Sequence, residues 1–523
     1  MPEYPFRQTR LVHDDGSWSA YSSVEFPADK LSFRNIVLRD YEIRLRDIAH
    51  LRSVKARQYG QDNPIIVAWA CLEDFASTKD VFPELNTITD EGEHLLSVNS
   101  LLSYTMRTLL ARNWLFYDRD NWCLDIPTTE LTWQKRASAI LGWLLETNRL
   151  WIEVPEEYTA SHRDFVNFDA HVNAIPVGNL NFLRREVQEQ RHRVAFNASY
   201  FLLEHDDFDS FHASLGEAYN LFIQDGHVIR PPLYRRSALY CGEQSKWQVS
   251  QIGMNDIAIR LNEDIVLSAD DDALFSYTVN PSQETAIAIY TRYYGVDGQG
   301  RALAYTPTIA DRLELTIVGN TIVSWKMGGN LHIPQNGFVL SFAPDVLNHE
   351  QCDTIIKNPL ISYQMLGKFK DITHAIQSGP VLMRDSVILR DNAIFEQEEF
   401  WISRHIDDKF VLGVVPTDYP DDFDETRAGR LAIGIKADGN LIVVGVAGVN
   451  SGYSLDNTDS NGATLVEVAE YLLSQGAIHA VNLDGGGSTQ LFYNYGAMVR
   501  FGDRRGSFGI IYERMIPSVG VVG

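Results

Sequence analysis

From Arg191 onward the chain is written in short β-branched or aromatic runs broken by Gly, Asn and Asp. Examples are AIAIYTRYY (286–294), LELTIV (313–318), FVLSF (338–342), FVLGVV (410–415), LAIGIKA (431–437) and LIVVGVAG (441–448). Runs of this kind predict strands, and the pairs Asp297-Gly298, Asn336-Gly337 and Asp438-Gly439 supply tight turns between them. Helices are expected near 353–358, 371–377 and 462–475. The last is the best marked: Leu465, Val468, Ala469 and Leu472 share one face, and Thr464 with Glu467 fits a T-x-x-E capping box. Residues 250–282 read as an elaboration of this β-rich part and not as a linker.

Before Arg191 the period changes. Leu38, Tyr41, Leu45 and Ile48 recur at intervals of three and four, which predicts a helix from Asn35 to about Arg57. Two more helices fit 101–110 and 136–146, the second carrying Ala137, Ile140, Leu141 and Leu144 on one face. Residues 1–35 read as extended, with a hairpin around Asp14-Asp15-Gly16. Seven of the ten tryptophans lie in residues 18–151; large rings filling a helical core account for them, and a sugar-stacking cluster is the alternative. The expected fold class is therefore α+β, a mixed β-sheet domain over 186–523 preceded by a mainly helical N-terminal domain over 1–185. The first domain carries no motif of its own and reads as a docking or structural module, a place for a protein partner or self-association.

Composition narrows the function. A net charge of −24 with no basic block argues against nucleic acid and against an anionic membrane surface. The four cysteines are far apart and form no C-x-x-C, so neither a disulfide scaffold nor a cysteine zinc site is expected. No run of apolar residues is long enough to cross a membrane, and MPEYPFRQTRLVHDDGS has no signal-peptide core. A cytoplasmic protein, or one carried in a virion or similar particle, is the expectation.

One stretch concentrates chemistry. VNLDGGGSTQ (481–490) brings a buried strand to Asp484, then to Gly485, Gly486 and Gly487, then to the hydroxyls of Ser488 and Thr489. An acid at a strand end, beside a bare backbone and two hydroxyls, suits a polar or anionic ligand. A glycine turn capped by its own acid would look the same. The segment TLVEVAEYLLSQGAIHAVNLDGGGSTQLF, taken whole, closely resembles the signature of the phosphodiester glycosidase family. The resemblance continues in order through VAFNASYF (194–201), where Ala198 and Ser199 replace the two glycines of the family's Asn-Gly-Gly. It runs on through Gly216, Asp225-Gly226, Arg236-Ser237-Ala238, IPQNGFVLSF (333–342), QSGPVL (377–382), RLAIG (430–434) and Glu513-Arg514. It covers about residues 190–523.

The resemblance implies a phosphodiester-glycosidase-like domain that hydrolyses the sugar C–O bond of a sugar-1-phosphodiester, as of N-acetylglucosamine. Such a reaction needs a carboxylate for water or for the oxocarbenium-like sugar, and donors around the phosphate. Asp484 is the leading carboxylate and Glu467 the second, although a capping box alone explains Glu467. Arg236, Arg430 and Arg514 are candidate phosphate contacts, since guanidinium groups bind phosphate in bidentate fashion; structural ion pairs fit them equally well. Asn197 and Asn482 are candidates to bind sugar hydroxyls or orient the acid. A non-catalytic glycan-phosphodiester-binding or particle protein with the same fold is the alternative. No metal or other cofactor is required. Asn457-x-Asp459-x-Asn461-Gly462 imitates half an EF-hand, but position twelve is Val468, leaving only an irregular calcium loop as an option.

Overall fold

The computed structural model describes residues 4–14, 16–35, 77–118, 121–146, 182–203, 210–213, 216–242, 246–297, 302–390, 393–400, 426–449, 459–505, 510–511 and 513–523. It also describes short strands at 44–45, 67–70, 151–152, 174–177, 405–406 and 409–410. Among the described residues mixed sheets predominate and helices are few. The largest sheet has seven strands in the order Phe6–Val12, Trp18–Phe26, Leu441–Ala447, Arg430–Lys436, Ala477–Asn482, Val381–Arg384 and Val387–Ile388. A five-stranded sheet runs Leu31–Asn35, Ser518–Val522, Val194–Asn197, Leu491–Tyr493 and Gly496–Ala497. A second one runs His227–Arg230, Phe222–Gln224, Ile372–Gln377, Arg236–Gly242 and Trp247–Ile252.

Alternation along the strands sorts their residues between two cores. Leu431, Ile433, Val481 and Leu483 enter one core with Val24, Phe33, Phe196, Leu239 and Val443. Ala432 and Ala480 face the other way, against Val468, Ala469 and Leu472 of helix Leu465–Ser474. The small residues on that side bring the helix close to the sheet. Register places Ala432 beside Asn482 and Gly434 beside Ala480, so Asn482 stands on the helix-side face. The helix opens as expected: Thr464 Oγ1 accepts from the Glu467 amide at 3.1 Å, and Glu467 Oε2 accepts from the Thr464 amide at 2.9 Å.

The mainly helical N-terminal domain expected over 1–185 is not shown: the described residues at the N-terminus are largely strand. Phe6–Val12, Trp18–Phe26 and Leu31–Asn35 are strands, and the second and third pair with Leu441–Ala447 and Ser518–Val522. Sheet pairing therefore runs across the boundary drawn near 185. Their partners lie at the far end of the chain, where a local period cannot reveal them. Helices Val98–Ala111 and Leu131–Glu146 are present as predicted and pack around Leu101, Met106, Leu109, Trp133 and Ile140. Trp133 is buried in that core, which supports the packing reading of its ring. Even this part is tied to the sheets, because His94–Leu95 pairs with Ser324–Trp325 at the edge of a six-stranded sheet.

Two further expectations change. The helix predicted over 371–377 is strand Ile372–Gln377, the middle strand of its sheet, where Ile376 pairs with both Phe222 and Leu239. Its apolar residues serve two neighbouring strands and not one helical face. The helix predicted from Asn35 to Arg57 lies almost entirely outside the described residues; Arg44–Leu45, which are described, form a short strand paired with Trp151–Ile152. Residues 250–282 do form an elaboration, with Ile257–Arg260, Val266–Ser268 and Phe275–Ser276 joining Ser362–Met365 in a four-stranded sheet.

A candidate active site at the triple-glycine turn

Strand Ala477–Asn482 delivers the chain to Asp484 at the end of the seven-stranded sheet, and the backbone of Asp484 is held from both sides. Its N–H donates to the Ala198 carbonyl at 3.2 Å, and its carbonyl accepts from Asn197 Nδ2 at 2.7 Å. Asn197 Oδ1 accepts in turn from the Gln490 amide at 2.8 Å. One buried amide thus clasps both ends of the turn 484–490. Asp484 itself is half-buried, which leaves it within reach of a ligand. Neither Ala198 nor Ser199 has positive φ, so the turn does not need glycine there, although Ser199 Oγ is buried without a hydrogen-bond partner among the described residues.

Gly485 and Gly487 are tightly packed, while Gly486 has φ of 57° and open space where a Cβ would stand. The Gly486 N–H donates to the Gly429 carbonyl at 2.7 Å, and Gly486–Ser488 forms one turn of 3-10 helix. A Cβ on Gly487 would run into the Asp503 carboxylate and the Arg514 guanidinium. Those two groups form a bidentate pair, Arg514 Nε to Asp503 Oδ2 at 2.6 Å and Nη2 to Oδ1 at 2.8 Å. Arg514 Nη1 also reaches Ser488 Oγ at 3.3 Å. Arg514 therefore stands beside the turn with its charge balanced by Asp503. Thr489 Oγ1 and Asn482 Oδ1 are buried and have no hydrogen-bond partner among the described residues.

The other candidates divide. Asn482 Nδ2 donates to the Tyr200 hydroxyl at 2.8 Å and to the Gly379 carbonyl at 3.2 Å, and the Tyr200 hydroxyl donates to the same carbonyl at 3.0 Å. Arg430 begins the strand beside that of Asn482, and its guanidinium donates to backbone, Nε to the Ala463 carbonyl at 3.0 Å and Nη2 to the Thr426 carbonyl at 2.7 Å. Arg236 is buried beneath aromatic rings, its guanidinium 3.9 Å from the Phe400 centroid and 4.7 Å from that of Tyr234. Phe400 packs edge-on against Tyr200 at 6.3 Å, so Arg236 joins the cluster through two rings. Glu467 is occupied elsewhere: Arg427 Nη2 donates to Oε1 at 2.6 Å and Nε to Oε2 at 3.2 Å. Burial works to raise its pKa, but Arg427 and the Thr464 amide outweigh it and hold the carboxyl below its ordinary value.

Sequence reasoning passed over Tyr200, Arg427 and Glu398. Tyr200 was signalled by its place three residues after Asn197. Glu398 sits in the run EQEEF, which looks like solvated surface, yet it is fully buried and accepts from Ser237 Oγ at 2.7 Å and from the Val381 amide at 2.9 Å. In the segment that imitates an EF-hand, Asp459 is buried and pairs with Arg500 at 2.6 Å. Among the described residues no group of three or more His, Cys, Asp or Glu is placed to hold a metal ion, and no helix is long and apolar enough to cross a membrane.

Residues 311–522 match the family described as phosphodiester glycosidase. A comparison with curated proteins finds no match. Among solved structures, a hypothetical protein from Synechocystis aligns with a TM-score of 0.41 at 12% identity, over 100% of this chain and 64% of its own. The catalytic domain of zebrafish N-acetylglucosamine-1-phosphodiester alpha-N-acetylglucosaminidase, auto-inhibited by its pro-peptide, aligns with a TM-score of 0.36 at 10% identity, over 99% of this chain and 82% of its own. A protein from Burkholderia pseudomallei described as exported gives 0.39 at 15% identity, over 99% and 96%. The match to the phosphodiester glycosidase family model, which covers residues 311–522, spans Arg430, Glu467, Asn482, Asp484, Arg514 and the glycine turn.

Proposed function

We propose that the chain hydrolyses a sugar-1-phosphodiester of the N-acetylglucosamine-1-phosphodiester kind, breaking the bond between the sugar C1 and the phosphate oxygen. The observation that carries this reading is the juxtaposition of half-buried Asp484 with the Asn197 clasp and a packed glycine turn, inside a segment of that family. In the reaction, water adds to C1, the C1–O bond breaks, and the electron pair leaves on a phosphomonoester. The proton of the water passes through Asp484 to solvent. A phosphate leaves readily, so one carboxylate that deprotonates water and stabilises positive charge at the sugar supplies most of what the chemistry needs.

The remaining residues take supporting roles in this reading. Gly485, Gly486 and Gly487, with Ser488 and Thr489, cradle the phosphate, and Arg514 holds Ser488 in place. The unsatisfied Thr489 Oγ1 and Asn482 Oδ1 await hydrogen bonds that the substrate would make. Arg430 fixes the loops at 426 and 463, while Arg236 lends buried positive charge from behind Tyr200. Glu467 holds its helix end and Arg427. The test is incubation of the purified chain with the methyl phosphodiester of N-acetylglucosamine-1-phosphate. Release of free sugar together with methyl phosphate is expected; release of methanol and sugar-1-phosphate would overturn the reading.

A further inference from the structure

We infer that Glu398 is a positioning residue for this site: its buried carboxylate sets the Gly379 carbonyl, and through it the Asn482 side chain two residues before Asp484. The inference rests on the glycosidase reading of the site. Glu398 Oε1 accepts from Ser237 Oγ at 2.7 Å and from the Val381 amide at 2.9 Å, and Oε2 accepts from the Ser237 amide at 2.9 Å. One carboxylate therefore joins strand Arg236–Gly242 to strand Val381–Arg384. Gly379 lies between them with φ of 83°, and a Cβ there would run into Glu398 Oε2. The Gly379 carbonyl then receives both the Tyr200 hydroxyl, at 3.0 Å, and Asn482 Nδ2, at 3.2 Å, while its N–H donates to the Asn482 carbonyl at 3.1 Å.

A buried carboxylate is a costly way to tie two strands. Burial pushes the Glu398 carboxyl pKa up against the pull of its Val381 and Ser237 donors and of the more distant Arg384 charge. A purely structural tie between Ser237 and Val381 would need only a neutral acceptor. The charge gains a purpose if it stiffens the carbonyl that orients Asn482, because a preorganised polar group is effective only when its partners are fixed.

Glu398→Gln keeps the size and most of the contacts but turns one acceptor into a donor facing an N–H. In the full chain, kcat should fall about tenfold with KM within about twofold, since positioning is lost and ground-state contacts are not. Tyr200→Phe, which removes the hydroxyl between the same partners, should show the same split, and the double variant should lose little more than either single one. Hydrogen exchange over residues 477–490 should rise in Glu398→Gln without substrate. That readout stands even if no sugar phosphodiester is turned over, an outcome that would overturn the glycosidase reading alone. Unchanged exchange over 477–490, or additive losses in the double variant, would overturn the role of Glu398. Should Glu398→Gln fail to fold, Tyr200→Phe decides: an effect confined to KM would count against the inference.

Discussion

At the scale of single residues, Asp484 is singled out by what surrounds it. Its backbone is pinned by Ala198 and Asn197 whatever its side chain does. Asp484→Asn should therefore keep the fold and lose turnover by about a hundredfold or more, the range for a group acting as base and electrostatic stabiliser. A steady-state assay beside a thermal melt checks both halves; wild-type rates would reduce Asp484 to a turn residue. Glu467 behaves in the opposite way. Its folded pKa is depressed, so the stability it contributes is present above its unfolded pKa, about 4.3, and is lost as pH falls through the folded value. Glu467→Gln should destabilise the chain by about 0.5–1 kcal/mol at neutral pH, the scale of a partly exposed ion pair, and the gap to wild type should close on acidification. Denaturant titrations at pH 7 and below pH 4 measure it. The family resemblance pointed to Asn197 and the LDGGGS turn to Asp484, whereas the clasp between them joins residues 287 positions apart and no local spacing reveals it. The arginines were not legible in the same way. Their partners, such as the Ala463 carbonyl for Arg430 and the ring of Phe400 for Arg236, are set by loops that no local pattern connects.

At the scale of elements, the triple glycine was readable as a site but not as a packed object. Flexibility is the usual inference from GGG, whereas Gly487 is shaped by the Asp503–Arg514 pair pressed against it. Gly487→Ala should force that pair apart and cost about 1–3 kcal/mol, as overpacking does, together with most of the activity. A stability change near zero would mean that the turn has slack. Helix Leu465–Ser474 was legible to its cap because one face and one capping box agree. Strand Ile372–Gln377 was not, since ITHAIQ satisfies helical spacing about as well as strand pairing, and only the neighbours Phe222 and Leu239 decide.

At the scale of the whole molecule, the β-rich reading after Arg191 came through because its runs and turns are local features. The N-terminal strands escaped because what makes them strands lies near the other end of the chain. Trp18–Phe26 fills the position between Phe6–Val12 and Leu441–Ala447, and Leu31–Asn35 covers Ser518–Val522. Deleting residues 1–185 should uncover both edges along with Val24, Phe26 and Phe33 of the core, and the truncated chain should aggregate in place of a cooperative melt. A soluble, cooperatively folding truncation would mean that these strands are ancillary. At this scale the proposed reaction, cleavage on the sugar side of a phosphodiester, can be tested in the intact chain. Hydrolysis of a sugar-1-phosphodiester in water labelled with oxygen-18 tests it directly. Label is expected in the released sugar at C1 and not in the phosphomonoester, and label in the phosphate would contradict cleavage on the sugar side.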